Sequence, residues 1–187
     1  DNSRFLSGDS LEFMEGTYNG TYGKVAYGSF KQPEILKKSI KDVTHQRQVI
    51  FIRKPKLWIV TDKLKGDKPH RYTWRWYLPY SPKKEKFFSY LPEELKIDEK
   101  RQEIVTSKAN GVNFSMRSFS SSPLNFKSIK RNKIVKYGYY GNRLNPWNNV
   151  CEVLMTSEKQ KELLTVFVIY PGKDLKDKLK SLKKLTS

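Results

Sequence analysis

A succession of short apolar segments, each closed by turn-forming residues, is the feature that most limits what this chain can fold into. Residues 72–78 show it best, because large apolar side chains recur there at every second position. That spacing places four of them on one face of a strand: Tyr72, Trp74, Trp76 and Leu78. Pro79 ends the segment, since proline cannot donate to a ladder of backbone hydrogen bonds. We therefore expect a strand whose aromatic face, with Trp74 and Trp76, packs into a core.

Comparable segments recur along the chain, separated by Gly, Pro, Ser and Asn. The predicted strands are Thr44–Ile52, Leu57–Asp62, Tyr72–Leu78, Gln102–Thr106, Val112–Phe119, Leu124–Ile129, Lys133–Tyr137, Val150–Thr156 and Leu163–Tyr170. Many short strands at near-regular spacing indicate an all-β fold, an antiparallel β-sandwich of the supersandwich type. Lys65–Pro69 is predicted to be a turn between two of the strands.

Two short helices are expected beside the strands, at Pro33–Ser39 and Asp174–Leu185. Leucines in the second segment recur at spacings of four and three, which is typical of one helix face, and lysines occupy the other faces. Residues 173–187 are therefore predicted to be a basic C-terminal helix or tail. The chain as a whole, 1–187, is predicted to be a single domain, because 187 residues suffice for one sizeable core.

The charge of the chain is strongly one-sided. Lys and Arg number 37 against 19 Asp and Glu, which gives a formal net charge of +18. Such a surface attracts polyanions through counterion release, so nucleic acid, acidic polysaccharide and anionic membrane are the partner classes to weigh. The alternative is that the lysines serve only solubility. No run approaches the roughly 20 apolar residues of a spanning helix, so no transmembrane segment is predicted.

Sequence signatures of several common chemistries are absent. The chain has no phosphate-binding loop, dinucleotide-binding glycine pattern, nucleophile elbow or H-E-x-x-H zinc motif. Its single cysteine, Cys151, can form neither an internal disulfide nor a cysteine-built zinc site. The basic residues are scattered and match no nucleic-acid module, which makes nucleic acid the less favoured partner.

The most informative block runs from Thr44 to Leu78. His45 and Arg47 are two residues apart and share a strand face, Asp62 ends the next predicted strand, and Tyr77 lies on the third. In an antiparallel meander His45, Asp62 and Tyr77 would approach one another. A His and a carboxylate together serve proton transfer or metal binding. Each residue alone also has a structural explanation, such as a strand His, a turn-opening Asp or an Arg paired with a carboxylate.

This block resembles the C-terminal β-domain of the heparinase II/III-like polysaccharide lyases. The similarity rests on an H-x-R-x-V-x-F strand, a W-x-V-x-D strand, a glycine turn and a strand of the form aromatic-H-L-x-P. These are His45–Phe51, Trp58–Asp62, Lys65–Gly66 and Trp76–Pro79. Flanking segments resemble the family too: Glu15–Tyr18, Tyr139–Arg143 and Leu164–Pro171.

The resemblance implies a domain of an enzyme that cleaves acidic polysaccharides, such as heparan sulfate or alginate, by β-elimination. Family members carry an N-terminal (α/α) toroid that holds most of the catalytic groups, and the β-domain forms the other wall of the cleft. We therefore expect this chain to be cut from a longer lyase, to be inactive alone, and to come from the periplasm or cell surface of a bacterium.

Site residues carried over from the family are candidates only. His45 matches the family His and is the catalytic candidate. The candidates for substrate contact are Arg47, Arg75, Tyr139, Tyr140 and Arg143. No cofactor is certain, but a structural divalent metal, Zn or Ca, would be held by His45 and Asp62. Tyr77 stands where the family has another His, and His70, seven residues earlier, could replace it only if the strand geometry allowed.

Two other functions remain open. The chain fits a non-catalytic module that binds acidic carbohydrate without any toroid. It also fits a basic protein that binds nucleic acid or a membrane surface, which would bind DNA and glycans alike with a steep salt dependence.

Overall fold

A computed structural model of the chain describes residues 3–19, 22, 40–80, 94–107, 113–131 and 149–172. These residues form nine strands: β1 Ser3–Ser7, β2 Leu11–Tyr18, β3 Val43–Ile52, β4 Leu57–Tyr80, β5 Leu95–Asp98, β6 Glu103–Thr106, β7 Phe114–Ser120, β8 Leu124–Arg131 and β9 Asn149–Pro171. All the strand pairs are antiparallel, which confirms the all-β prediction. The predicted helices and the strand predicted at Lys133–Tyr137 lie outside the described residues.

Two strands, β4 and β9, are much longer than the rest, with 24 and 23 residues. The first part of β4, up to Lys65, pairs with β3 on one side and with the end of β9 on the other. Its last part, from Thr73, pairs with the beginning of β9, which also pairs with β8. Register shifts between Lys65 and His70 and between Arg71 and Thr73 mark the change. Bulges of this kind bend a strand without ending it.

The bend in β4 and β9 folds the sheet into two layers. The larger layer has the order β1-β2-β3-β4-β9-β7-β6-β5, and the smaller one consists of the second part of β4, the first part of β9, and β8. The rings of Trp74 and Trp76 meet the edge of Phe167, with centroids 5.6 and 5.3 Å apart. Because Phe167 belongs to the larger layer, these contacts join the two layers face to face. The aromatic face predicted for residues 72–78 is therefore confirmed as core.

The core between the layers draws side chains from both of them. Its buried members include Val60, Leu64, Ile104, Met116, Leu124, Met155 and Leu163. A second, smaller cluster around Leu57 and Val168 lies on the opposite face of the larger layer. At about 25 cal/mol per Å² of apolar area removed from water, burial of such side chains is the main stabilising term of a fold of this kind. No helix in the described part of the chain is long and apolar enough to cross a membrane.

Three expectations from the sequence were wrong in detail. Lys65–Pro69 is not a turn but part of β4: Lys65 pairs with Glu162 of β9, Gly66 pairs with Val43 of β3, and the pairing with β9 resumes at His70. As a result, Tyr72–Leu78 is not the next strand of a meander after the strand of Asp62. Both segments belong to β4, and the bend places Tyr72–Leu78 in the other layer. Val150–Thr156 and Leu163–Tyr170 are likewise one strand, β9. Strands β1, β2 and β5 were not predicted.

Candidate active site

Asp62 is the centre of a hydrogen-bonded cluster between the two layers, and its side chain is 0% exposed. Its Oδ1 accepts hydrogen bonds from Nε2 of His45 and from Nε of Arg47, both at 2.7 Å. Its Oδ2 accepts from Nη2 of Arg47 at 2.8 Å and from the indole Nε1 of Trp74 at 2.7 Å. We call these four side chains the Asp62 cluster. Arg47 holds the carboxylate with two parallel hydrogen bonds, the strongest geometry for this pair.

The strand geometry explains why these four residues meet. His45 and Arg47 alternate onto the same face of β3, and the register sets Arg47 directly opposite Asp62 on β4. Trp74 lies twelve residues after Asp62 on the same strand, yet the bend in β4 returns its indole above the carboxylate. The cluster therefore depends on β3 and on both parts of β4.

Electrostatics keep the buried Asp62 ionised. Burial alone would raise the pKa of Asp62, but the hydrogen bonds from Arg47, His45 and Trp74 outweigh burial and lower this pKa to about 2. The hydrogen bonds to Asp62 in turn raise the pKa of the Arg47 guanidinium. A buried carboxylate is tolerated when it is paired and its oxygens accept donors, as here.

The ionised carboxylate determines which nitrogen of His45 is free for chemistry. A carboxylate only accepts hydrogen bonds, so Nε2 of His45 carries the proton that Asp62 binds. In the neutral imidazole the lone pair then lies on Nδ1. The His45 side chain is 21% exposed, whereas Asp62 behind it is fully buried. His45 is thus oriented by Asp62 and keeps a basic nitrogen, Nδ1, available for a proton or a hydrogen-bond donor.

A pocket of about 310 Å³ opens beside the cluster. Residues of β3 and of the bend in β4 line it, together with Tyr22 and Ile40: Val43, His45, Arg47, Leu64, His70, Arg71, Tyr72, Thr73, Trp74, Arg75 and Trp76. The wall holds a second His–Asp pair, in which Nε2 of His70 lies 2.9 Å from Oδ2 of Asp42. The hydrogen bond to His70 lowers the pKa of Asp42. Cationic, aromatic and imidazole groups therefore surround one cavity.

Tyr22 adds a neutral hydroxyl to the same wall. Its backbone pairs with Ile40 through hydrogen bonds of 2.7 and 2.6 Å, and its ring meets Tyr18 edge to face at 5.2 Å. Burial, followed by the charges of Tyr18 and Asp62, raises the pKa of Tyr22 to about 12. Its hydroxyl is enclosed and has no hydrogen-bond partner among the described residues. Tyr22 is therefore a protonated donor at any physiological pH.

A divalent metal does not fit the Asp62 cluster as it is arranged. Both carboxylate oxygens already accept two N–H groups each, and one donor is the permanently charged Arg47. A metal between His45 and Asp62 would have to displace that contact and stand beside the guanidinium. Within the described ranges no group of three or more His, Cys, Asp or Glu could hold a metal ion. The metal expected at His45 and Asp62 stays a prediction.

Comparison with known proteins gives a clear answer only at the level of structure. No protein-family profile matches the chain, and no curated protein matches it in sequence. A heparinase III gene product matches it with a TM-score of 0.61 and 13% identity, over 92% of this chain and 21% of that chain. A further heparinase III crystal structure gives a TM-score of 0.59 at 14% identity, over 91% of this chain and 21% of that one. Heparan sulfate lyase HepC from Pedobacter heparinus gives 0.57 at 17% identity, over 92% and 22%.

The chain shares the fold of the matched part of heparinase III. At these identities the likeness to heparinase III concerns the fold alone. The chain spans about a fifth of the length of the heparinase III and HepC chains that it matches. The resemblance that the motifs of β3 and β4 suggested is confirmed as a structural relationship, and substrate and reaction are taken up below as proposals.

Within this heparinase III-like fold, some of the predicted site residues come together. His45, Arg47 and Asp62 are in direct contact, and Arg75 lines the same pocket on the exposed side of β4. The side chain of Tyr77 is outside the described part, so the predicted His45–Asp62–Tyr77 group stays a prediction. The candidates Tyr139, Tyr140 and Arg143 also lie outside the described residues.

Three parts of the pocket escaped the sequence reasoning. Trp74 was assigned to the core alone, although its indole N–H also binds Asp62; a tryptophan on a core face opposite a buried Asp was the available signal. The pairing of His70 with Asp42 depends on the bulges in β4, and no local sequence pattern predicts these bulges. Tyr22 comes after β2 in the chain, is held by a single bridge to Ile40, and carries no periodic signal.

Proposed function

We propose that this chain is the β-sandwich domain of a heparinase-type polysaccharide lyase and that its pocket forms one wall of the cleft that binds the substrate. The observation that carries the proposal is the Asp62 cluster, which orients His45 toward a pocket lined by cations and aromatic rings. The shared fold with heparinase III supports it. The proposed substrate is an acidic polysaccharide containing uronic acid, with heparan sulfate preferred because the matching structures are named for heparinase III or heparan sulfate lyase.

The proposed reaction is β-elimination at a uronic acid. A base takes the proton from C5, the electron pair of that C–H bond forms the C4–C5 double bond, and the C4–O bond to the neighbouring sugar breaks. The departing oxygen then receives a proton. In this scheme Nδ1 of His45 takes a proton or orients the uronate, while Asp62 holds the ring and stabilises its protonated form.

Other pocket groups have roles in binding. Asp62 uses only part of the Arg47 guanidinium, and the Arg47 side chain is 46% exposed, so its remaining N–H groups can meet a carboxylate or sulfate. Arg75 lines the same pocket. The toroid of the longer lyase would supply the opposite wall and most of the chemistry, and export to the bacterial periplasm or cell surface belongs to the same proposal.

Binding by the isolated chain tests the substrate. Purified chain is titrated with heparan sulfate, alginate and duplex DNA in parallel at near-physiological salt. We expect tighter binding to one uronic-acid polysaccharide than to DNA, and no unsaturated uronate product from any of them. If the chain binds all three polymers equally, and all three affinities vanish together as salt rises, then the net charge alone accounts for binding. That result would contradict the proposal. Product formation by the chain alone would contradict the need for a second wall.

A test of the role of His45 requires the longer protein. We expect the product of the full coding sequence to form unsaturated uronate, seen as a rise in ultraviolet absorbance, and His45→Ala to lower kcat by about 10²–10⁴-fold. His70→Ala is the matched control, because it removes an imidazole from the same pocket without touching Asp62. A His45→Ala enzyme with normal kcat, or a coding sequence that encodes no further domain, would favour a non-catalytic carbohydrate-binding module instead.

A further inference from the structure

The hydroxyl of Tyr22 is a hydrogen-bond donor that the protein leaves unused. Its oxygen is enclosed, so that water does not reach it, and no described residue accepts its proton. A buried donor without an acceptor costs stability, and most buried polar groups in native structures have a partner. Tyr22 is one of the residues that line the pocket beside the Asp62 cluster. A ligand in that pocket is therefore the natural source of the missing acceptor.

The surroundings of the hydroxyl favour an anion as this acceptor. Burial is the largest cause of the raised pKa of Tyr22, and among the further causes the charge of Asp62 raises it while that of Arg47 lowers it. The hydroxyl thus lies within electrostatic reach of both charges. Asp62 already accepts four hydrogen bonds, whereas the Arg47 side chain is 46% exposed and has N–H groups that Asp62 does not use. An oxyanion at the exposed edge of Arg47 is the acceptor that suits both groups.

The wall of the pocket offers further donors. The indole Nε1 of Trp76, which also lines the pocket, is enclosed and has no partner among the described residues. Arg71 and Arg75 add the N–H groups of two more guanidinium groups. A wall of this kind matches a group that bears several acceptor oxygens and no donor, which describes an ionised carboxylate or a sulfate.

We propose that Tyr22 is a specificity-determining residue of the pocket, whose hydroxyl donates a hydrogen bond to a carboxylate or sulfate group of the acidic polysaccharide beside Arg47. The inference rests on the proposed function and names the kind of group that the pocket recognises. Because water does not reach the hydroxyl, its ring must turn slightly toward the ligand, and it gives up no hydrogen bond to water when it does so. A neutral donor releases no counterions, so this contact differs from general attraction to charge.

Tyr72 provides a matched control in the same pocket. It lines the cavity as Tyr22 does, but its hydroxyl already donates to the carbonyl of Lys161 at 3.1 Å. Replacement of either tyrosine by phenylalanine removes one oxygen atom and no charge. Tyr22→Phe removes a donor without a partner, so its melting temperature should stay the same or rise. Tyr72→Phe breaks a hydrogen bond, and its melting temperature should fall by about 2–4 °C.

Calorimetry of the whole chain with a heparan sulfate tetrasaccharide measures the effect on binding. Tyr22→Phe should weaken binding about 10- to 100-fold, the usual contribution of a hydrogen bond to a charged group, and by the same factor at low and at near-physiological salt. Tyr72→Phe should change the affinity less than about twofold, because its hydroxyl keeps its partner in the complex. Arg75→Gln removes a charge from the pocket wall and should instead make the affinity less dependent on salt.

Two modified tetrasaccharides identify the group that the hydroxyl binds. A desulfated probe keeps the carboxylates, and a carboxyl-reduced probe keeps the sulfates. If the hydroxyl binds a carboxylate, Tyr22→Phe should lose affinity for the desulfated probe and not for the carboxyl-reduced one. If it binds a sulfate, the loss should appear with the carboxyl-reduced probe alone.

The outcomes separate this inference from the proposed function. If wild type prefers heparan sulfate to duplex DNA but Tyr22→Phe binds as tightly as Tyr72→Phe, the inference is wrong and the proposed function stands. A melting temperature of Tyr22→Phe as low as that of Tyr72→Phe would show that the hydroxyl has a partner within the protein, which also overturns the inference. If wild type shows no preference for a uronic-acid polysaccharide over DNA, the proposed function fails and the inference fails with it.

Discussion

Each oxygen of Asp62 accepts two hydrogen bonds, and the donors come from both layers of the sandwich. One charged side chain thus does two things: it orients His45 in the pocket and it ties Trp74, on the bent part of β4, to β3. Neither role survives well if the carboxylate changes its charge or its donor pattern, because a buried polar atom that loses its partner costs about 1–3 kcal/mol.

Asp62→Asn is the sharpest residue-scale test. The new amide group would direct its own N–H bonds at Arg47 or Trp74, which are both donors, and would leave the Arg47 charge without its partner. We expect a loss of about 3 kcal/mol in the free energy of unfolding, measured by urea denaturation. His45→Ala, which removes one donor to Asp62 at a partly exposed side chain, should cost about 1 kcal/mol. Equal losses for the two variants would contradict the central place given to the charge.

The lowered pKa of Asp62 predicts a specific acid sensitivity. The ordinary pKa of an Asp is 3.8 and the folded value is about 2, so the charged form favours the folded state. This stabilisation, about 2 kcal/mol, is complete above about pH 5 and is lost as the pH falls toward 2. Urea unfolding of wild type between pH 5 and pH 2.5 should show the decrease. Asp62→Asn should lack that part of it, and an identical pH dependence in both proteins would contradict the prediction.

The sequence predicted which residues form the site better than it predicted the hydrogen bonds between them. His45, Arg47 and Asp62 could be grouped from the spacing of two strands, because adjacent antiparallel strands bring such residues opposite each other. The contact with Trp74 could not be found in this way. It depends on a bend of β4, which is set by long-range pairing with β9 and not by the local sequence.

Among the elements, β4 carries most of the geometry of the site, because its two halves contribute Asp62 and Trp74. At its bend Gly66 lies against His70: a Cβ added at Gly66 would come within 2.7 Å of Cδ2 of His70 and 3.0 Å of the carbonyl of Lys68. His70 is fixed by Asp42, the residue directly before β3. The bend therefore has room for glycine and little else.

Gly66→Ala should strain this bend. We expect a loss of about 1–3 kcal/mol in unfolding free energy and weaker glycan binding, since His70 lines the pocket and must move. Gly16→Ala in β2 is the matched control, because nothing lies within 4 Å of the added Cβ, and it should be neutral or slightly stabilising. A Gly66→Ala protein as stable as the Gly16→Ala protein would contradict the packing described at the bend.

At the scale of elements, the sequence pattern located most of the strands. It did not show that some predicted strands are parts of one longer strand. Lys65–Pro69 has the composition of a turn, and the pairing with β9 on both sides of it, up to Lys65 and again from His70, makes it part of one long strand. The edge strand β1 and its neighbour β2 escaped prediction because Phe5, Leu6, Leu11 and Met14 are exposed and do not alternate with polar residues as half-buried strands do. Tertiary pairing, which a single sequence does not display, decided both cases.

For the whole molecule, the sharing of β4 and β9 between the layers predicts a single unfolding transition. Met155, fully buried on the β8 side, contacts the same core as Phe167 on the other layer. Met155→Ala should cost about 2–5 kcal/mol, and it should lower the protection of backbone amides from hydrogen exchange equally in β3 and in β8. Protection lost in β8 alone would show that the layers open separately.

The two strands of more than twenty residues each also constrain how the chain folds. A slip of one residue between β4 and β9 would turn every side chain of both strands to the wrong face, in both layers at once. The irregular steps at 65–73 can align only one way, so they act as a landmark that fixes the correct pairing. Folding must therefore wait for contacts between residues about 80 to 110 positions apart, such as Trp74 with Met155 and Trp58 with Ile169. The bend that forms the pocket therefore also fixes the register in which the two long strands pair.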